Sequence, residues 1–127
     1  MSSRGFDTWK VLVVDDEADS LSLIHDMLAF KGIEVQCVDN GADGLLMLHH
    51  FDPTLVIVDL SMPKPDGWDL LFAIRTTART ASLPVVAITA YSSDKVIAQA
   101  RLSGFTALIS KPIKLNSLMD KLVEVVG

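Results

Sequence analysis

Residues 11–17 read VLVVDDE. Four apolar residues, three of them valine, run straight into three acids. A short β-branched run from Lys10 to Val14, bounded by charge, predicts a strand buried on both faces. The question it raises is why a segment built for the interior ends in concentrated negative charge.

The flanking sequence supplies the frame. From Ala18 the period changes: Leu21, Ile24 and Leu28 make a helical stripe, and Lys31-Gly32 stops it. Ile33 to Val38 predicts a second strand. Asp39-Asn40-Gly41 is turn and cap chemistry ahead of a helix from about Ala42 to His50. Leu55 to Val58 is a third buried strand ending at Asp59, and Asp66 is placed to cap a helix reaching about Thr77. Val85 to Thr89 is a fourth strand. Ser92 or Ser93 caps a helix that stops at Gly104, and Ala107 to Ser110 is a short fifth strand before Lys111-Pro112. Leu118, Leu122 and Val125 mark a last helix running to the chain end, so no output domain is expected beyond it. Strand and helix alternate with short links, the pattern of an α/β doubly wound, five-stranded parallel sheet with helices on both faces.

Composition fits that frame. The 127 residues suit one domain, half of them are hydrophobic, and the formal net charge is −5. An acidic balance argues against direct nucleic-acid binding, which calls for a basic patch. No apolar run is long enough to span a bilayer, and the first ten residues lack a secretory core, so the expectation is a cytoplasmic protein with no membrane association. The lone Cys37 excludes an internal disulfide. Residues 1–8 are expected to form a flexible tail and 9–127 the domain.

Right-handed crossovers put every strand's C-terminal end on one edge of such a sheet, and ligands bind where the strand order reverses. In the order 2-1-3-4-5 that reversal lies between the first and third strands. Asp15, Asp16 and Asp59 then share one crevice. Like charges about 4 Å apart repel by about 4 kcal/mol at an effective dielectric near 20. The acids therefore either hold protons or share a cation. Oxygen ligands with room for water suit Mg²⁺. Thr89 and Lys111, at the ends of the fourth and fifth strands, add a hydroxyl and an ammonium, a set suited to a phosphoryl group. A carboxylate such as Asp59 can accept one as an aspartyl phosphate.

VLVVDDE (11–17), VDLSMPKPDG (58–67), AITAYS (87–92) and LISKPI (108–113) together resemble the response-regulator receiver domain of two-component signalling, over residues 9 to 126. The resemblance implies a flavodoxin-like sheet and a signalling module, not an enzyme with an external substrate. It implies Asp59 as phosphoacceptor, served by a histidine kinase or phosphotransfer protein, with self-dephosphorylation. Mg²⁺ would be held by Asp16, Asp59 and the Ser61 backbone carbonyl directly, and by Asp15 through water. Lys111 and Thr89 would bond the phosphoryl oxygens, with backbone amides of Leu60 and Ala90 as further donors. A cis Lys111–Pro112 bond is also implied.

Relatives usually carry Tyr or Phe at the switch position three residues before the lysine; here it is Leu108. Tyr91, two after Thr89, is a candidate water gate. The face of helix 4, strand 5 and helix 5, including Lys95, Gln99, Leu108, Lys114 and Leu115, is the implied surface for a downstream target.

Glu17 is expected to be solvated, Trp68 to pack, and His25, His49 and His50 to be ordinary helix residues. A haloacid-dehalogenase-type phosphatase needs an acid two residues after the nucleophile, and position 61 is Ser. A phosphate-independent interaction domain on the same fold is the alternative function.

Overall fold

The computed structural model describes residues 5–126. Five strands, β1 (Lys10–Val14), β2 (Glu34–Val38), β3 (Leu55–Asp59), β4 (Val85–Thr89) and β5 (Ala107–Ser110), form one sheet in the order 2-1-3-4-5. All pairings are parallel. The three central strands are buried from end to end apart from Lys10, while edge strands β2 and β5 are partly exposed. That is why the central strands read as continuous apolar runs and β2, with Glu34 and Gln36, does not. Ile33 was expected to open β2. It is buried, but the ladder starts one residue later.

Five helices cover the sheet: α1 (Ala18–Phe30), α2 (Gly41–His50), α3 (Gly67–Thr76), α4 (Asp94–Ser103) and α5 (Leu115–Val126). Alternation along β1 divides the core. Leu12 and Val14 face a cluster with Leu48 of α2, Leu70, Leu71 and Ile74 of α3 and Ala100 of α4. Val11 and Val13 face the other layer, with Ile24 and Leu28 of α1 and Leu118 and Leu122 of α5. Each fully buried Leu or Ile contributes about 1.5–3 kcal/mol relative to exposure.

The caps follow local chemistry. Asn40 accepts from the Asp43 amide at 2.8 Å, and Ser93 from the Val96 amide at 3.2 Å. Asp66 and Asp69 form a reciprocal capping box at 3.0 and 2.9 Å, fixing where α3 begins. Gly104, at φ 112°, ends α4 in a left-handed conformation that glycine adopts without strain.

Two short 3-10 turns, Phe6–Thr8 and Ala78–Thr80, were not anticipated. The expected tail covered residues 1–8. Residues 1–4 lie outside the described residues, and Phe6 packs edge-on against the buried Trp9 with ring centroids 4.9 Å apart. Arg75 ties the far end of the molecule together, donating to Gly104 O at 2.9 Å and Leu83 O at 2.6 Å. Trp68 packs, as expected, edge-on to Phe105 at 5.4 Å. The three histidines are exposed on helices. Lys111–Pro112 is cis, and so is Lys64–Pro65.

Candidate functional site

The sheet register delivers the site. Val14 lies beside Val58, Asp59 beside Ile88, and Thr89 beside Ser110. The residues at the carboxyl ends of β1, β3, β4 and β5 therefore converge on one edge. Asp15 follows β1, and its amide donates to Val38 O at 3.2 Å. Lys111 follows β5, and its amide donates to Thr89 O at 2.8 Å.

Lys111 is the hub. Its ammonium donates to Asp59 Oδ2 at 2.9 Å and Glu17 Oε1 at 2.7 Å, and lies 3.3 Å from Asp15 Oδ2. Asp59 is 4% exposed, and its second oxygen accepts from the Ser61 amide at 2.8 Å. Asp15 is completely buried. Its Oδ1 accepts from the Glu17 amide at 2.9 Å, whereas Oδ2 accepts no hydrogen bond. The ammonium is within ion-pairing range of Oδ2 without making a hydrogen bond to it.

These contacts set the protonation chemistry. Burial pushes the Asp15 carboxyl up to about 6, with the neighbouring Asp59 charge adding to it; the Glu17 amide and Lys111 oppose the shift. For Lys111, burial disfavours the charge, but hydrogen bonds to Glu17 and Asp59 and the charges of Asp15 and Asp59 outweigh it and hold the ammonium above its ordinary value. The hydrogen bond from Lys111 lowers the Glu17 carboxyl.

Ligand atoms of Asp15, Glu17 and Asp59 lie within 4.8 Å of one another. When ionised, these acids outnumber the single ammonium. The buried Asp15 Oδ2 accepts no hydrogen bond and has the shared Lys111 ammonium beside it, so its polar capacity is incompletely met. The donor set is entirely oxygen, which fits a hard divalent cation such as Mg²⁺.

The remaining expected residues are distributed as follows. Thr89 is 2% exposed, and its hydroxyl is engaged with Tyr91, accepting from the amide at 3.0 Å and donating to the carbonyl at 3.1 Å. The Tyr91 side chain is exposed. Ser61 and Ala90 are exposed at the edge of the site. The Leu60 amide donates to Ile88 O at 3.0 Å, so here it is committed to the sheet, and the amide turned to the Asp59 carboxylate is that of Ser61. Leu108 is half-buried against the α2–α4 layer and lines a cavity of about 250 Å³ with Ile97, Phe105 and Lys121.

Two residues differ from expectation. Asp16 is exposed and stands outside the acidic cluster. Glu17, expected to be solvated only, is in it. The strand ends at Val14 and the chain bends at Asp16, while the Lys111 ammonium, ion-paired to Asp15 and Glu17, holds those two side chains at the site. Gly67 is a further residue without a prior role. A Cβ there would come 2.7 Å from Asp59 O and 3.1 Å from Leu60 Cα. Glycine is thus what lets α3 start directly against the backbone that carries Asp59. Its place at the end of VDLSMPKPDG, just after a capping Asp, was the available signal.

A flavodoxin-like sheet with an acid–lysine cluster at its carboxyl edge defines the structural class. The chain belongs to the response regulator receiver domain family, whose model matches residues 11–123. It is therefore a signalling module of the two-component type. It is 34% identical to an uncharacterized 14.6 kDa protein in the sodA1 3′ region of Leptolyngbya boryana, over 81% of this chain and 79% of that protein. It is 33% identical to the chemotaxis protein CheY-3 of Vibrio cholerae, over 91% of this chain and 90% of that one. Among solved structures, CheY4 of Vibrio cholerae superposes with a TM-score of 0.87 at 25% identity, covering 92% of this chain and 98% of its own. Against longer relatives the chain spans a part only: 23% of the regulatory protein AtoC of Escherichia coli and 12% of the sensor histidine kinase RcsC of Salmonella typhi. Among the described residues, no helix is long and apolar enough to cross a membrane.

Proposed function

We propose that this domain is a phosphoacceptor switch in a cytoplasmic two-component relay, with Asp59 as the residue modified. The observation that carries the reading is the Asp59 carboxylate itself: nearly buried at the tip of β3, one oxygen on the Lys111 ammonium and the other on the Ser61 amide. In the transfer, an Asp59 oxygen forms a bond to phosphorus as the phosphorus–nitrogen bond of a phosphohistidine on a kinase or phosphotransfer protein breaks, and the leaving imidazole keeps the electron pair and takes a proton. Such transfers need positioning and charge neutralisation above all. Hydrolysis by water of the resulting acyl phosphate resets the domain.

Mg²⁺, when bound, supplies the charge that Lys111 alone cannot. Asp59, Asp16 and the Ser61 carbonyl would hold it directly, Asp16 only after turning in from its exposed place outside the cluster, and Asp15 would hold it through water. Lys111 and the Thr89 hydroxyl hold phosphoryl oxygens, Thr89 by leaving Tyr91. The Ala90 amide would add a donor, as would the Ser61 amide that already donates to Asp59, and the Leu60 amide would first have to leave Ile88. Tyr91, exposed two residues after Thr89, would act as the gate for water. With Leu108 in place of an aromatic ring, the response passes to the α4–β5–α5 face, where a downstream protein docks, through the Leu108 cavity.

Incubation with a small phosphodonor and Mg²⁺, followed by intact-mass measurement, tests the reading. It predicts one acid-stable, base-labile phosphoryl group per chain, absent in Asp59→Asn. No uptake would favour a phosphate-independent interaction domain.

A further inference from the structure

We propose that Glu17 is a positioning residue for Lys111: its carboxylate is the seat to which the ammonium withdraws when a divalent cation engages Asp59 directly and Asp15 through water. The inference rests on the proposed cation site and goes beyond it, since nothing in that reading gives Glu17 a role.

The geometry is graded from inside to outside. The Lys111 ammonium is 3.3 Å from Asp15, 2.9 Å from Asp59 and 2.7 Å from Glu17. Asp15 is fully buried and Asp59 nearly so, while the Glu17 side chain is 63% exposed. The ammonium therefore shares the two inner carboxylates with any cation that enters, and Glu17, the outermost and most exposed of the three, is the contact it can keep. Like charges at these separations repel strongly in a partly buried site, so the lysine must give up the inner contacts. It needs a place to go that is close, anionic and already oriented.

Glu17 has those properties. The oxygen that faces Lys111, Oε1, also accepts from the Ser20 hydroxyl at 3.0 Å, which holds the carboxylate in place. Glu17 is the N-cap residue of α1, but its side chain makes no capping bond. It is turned to the lysine instead, with the positive end of the helix behind it. An ammonium seated there stays at the mouth of the crevice, where an incoming phosphoryl group meets it first.

A double-substitution cycle on Mg²⁺ affinity, read by titration calorimetry, tests the proposal without reference to phosphorylation. Glu17→Gln removes the seat, so the ammonium falls back on Asp15 and Asp59, and Mg²⁺ binding weakens about tenfold, the scale of one charge-assisted hydrogen bond. In a Lys111→Met background no ammonium competes, and Glu17→Gln costs only the screened loss of one nearby charge, about twofold. A larger loss with Lys111 present than without it supports the seat. Equal losses in the two backgrounds would make Glu17 a ligand or a general field and overturn the proposal. If the unsubstituted protein bound no Mg²⁺, the cation site itself would fail, which is a separate outcome. Lys111→Gln takes the place of Lys111→Met if the latter unfolds the chain.

Discussion

Gly67→Ala sets two effects against each other, and the geometry decides between them. Alanine is the better helix former, by about 1 kcal/mol in a helix interior. At the first residue of α3, however, the new Cβ would sit 2.7 Å from Asp59 O and 3.1 Å from Leu60 Cα. Both are backbone atoms, so no rotamer change relieves the contact. Reaching an ordinary separation needs a shift of roughly 0.7 Å between α3 and the tip of β3, and overpacking of this kind costs about 1–3 kcal/mol. The steric cost therefore offsets the propensity gain, with a net loss of up to about 2 kcal/mol. The unfolding entropy of 127 residues is about 0.27 kcal/mol/K, so the melting temperature falls by up to about 7 °C. The same shift moves the residue proposed to accept phosphate, and misplacement near 1 Å is worth up to about a hundredfold in rate. Phosphorylation from a small donor should slow about tenfold or more. Gly44→Ala is the control, because its Cβ meets only side-chain atoms, Leu70 Cδ2 at 2.9 Å and Val14 Cγ2 at 3.2 Å. It should leave the phosphorylation rate unchanged. Thermal unfolding by circular dichroism and a phosphorylation time course measure both quantities. An unchanged melting temperature and rate for Gly67→Ala would refute the argument that this glycine seats α3 against Asp59.

Other tests address protonation and the scaffold. The Asp15 carboxyl is raised in the folded protein to about 6 from an ordinary 3.8, so folding favours its protonated form. That contribution is complete below pH 3.8 and is lost as pH rises through 6, an effect of order 3 kcal/mol. Urea unfolding without divalent ions should show Asp15→Asn gaining stability relative to the parent as pH rises through this window; a difference independent of pH would contradict the assignment. Mg²⁺ affinity should weaken as pH falls below about 6, since Asp15 then holds a proton. Arg75→Met removes the donors to Gly104 O and Leu83 O and should cost about 1–3 kcal/mol by denaturant titration, without changing Mg²⁺ affinity. Asp66→Ala breaks the capping box of α3 and should cost about 1 kcal/mol in the same assay.

What could be read from the sequence was what local pattern encodes. The run VLVV announced a buried central strand because burial on both faces leaves no polar alternation, and it is β1. Ser92-Ser93 and Asp66 announced helix starts because an unsatisfied amide needs an acceptor at that position, and the Ser93 and Asp66 side chains accept one. Parallel topology then brought Asp15, Asp59 and Lys111 to one edge by rule, and they meet there. The parts missed depend on contacts between distant segments. Glu17 looks like one more surface acid until β5 places Lys111 2.7 Å from it. The Leu60 amide looks like a free donor until β4 supplies the Ile88 carbonyl. The two 3-10 turns are too short for any periodicity, and the turn at Phe6 holds because that ring finds Trp9.

The central claim is that the strand tips assemble one phosphoryl site around Asp59. A crystal structure with Mg²⁺ and trifluoroberyllate, a phosphoryl mimic, tests it most directly. The account predicts beryllium on an Asp59 oxygen, Mg²⁺ beside it on Asp59, Asp16 and the Ser61 carbonyl, the Lys111 ammonium on a fluoride, and the Thr89 hydroxyl turned from Tyr91 toward the adduct. A bare Asp59 with Lys111 still bridging it to Asp15, under conditions that saturate related domains, would contradict it.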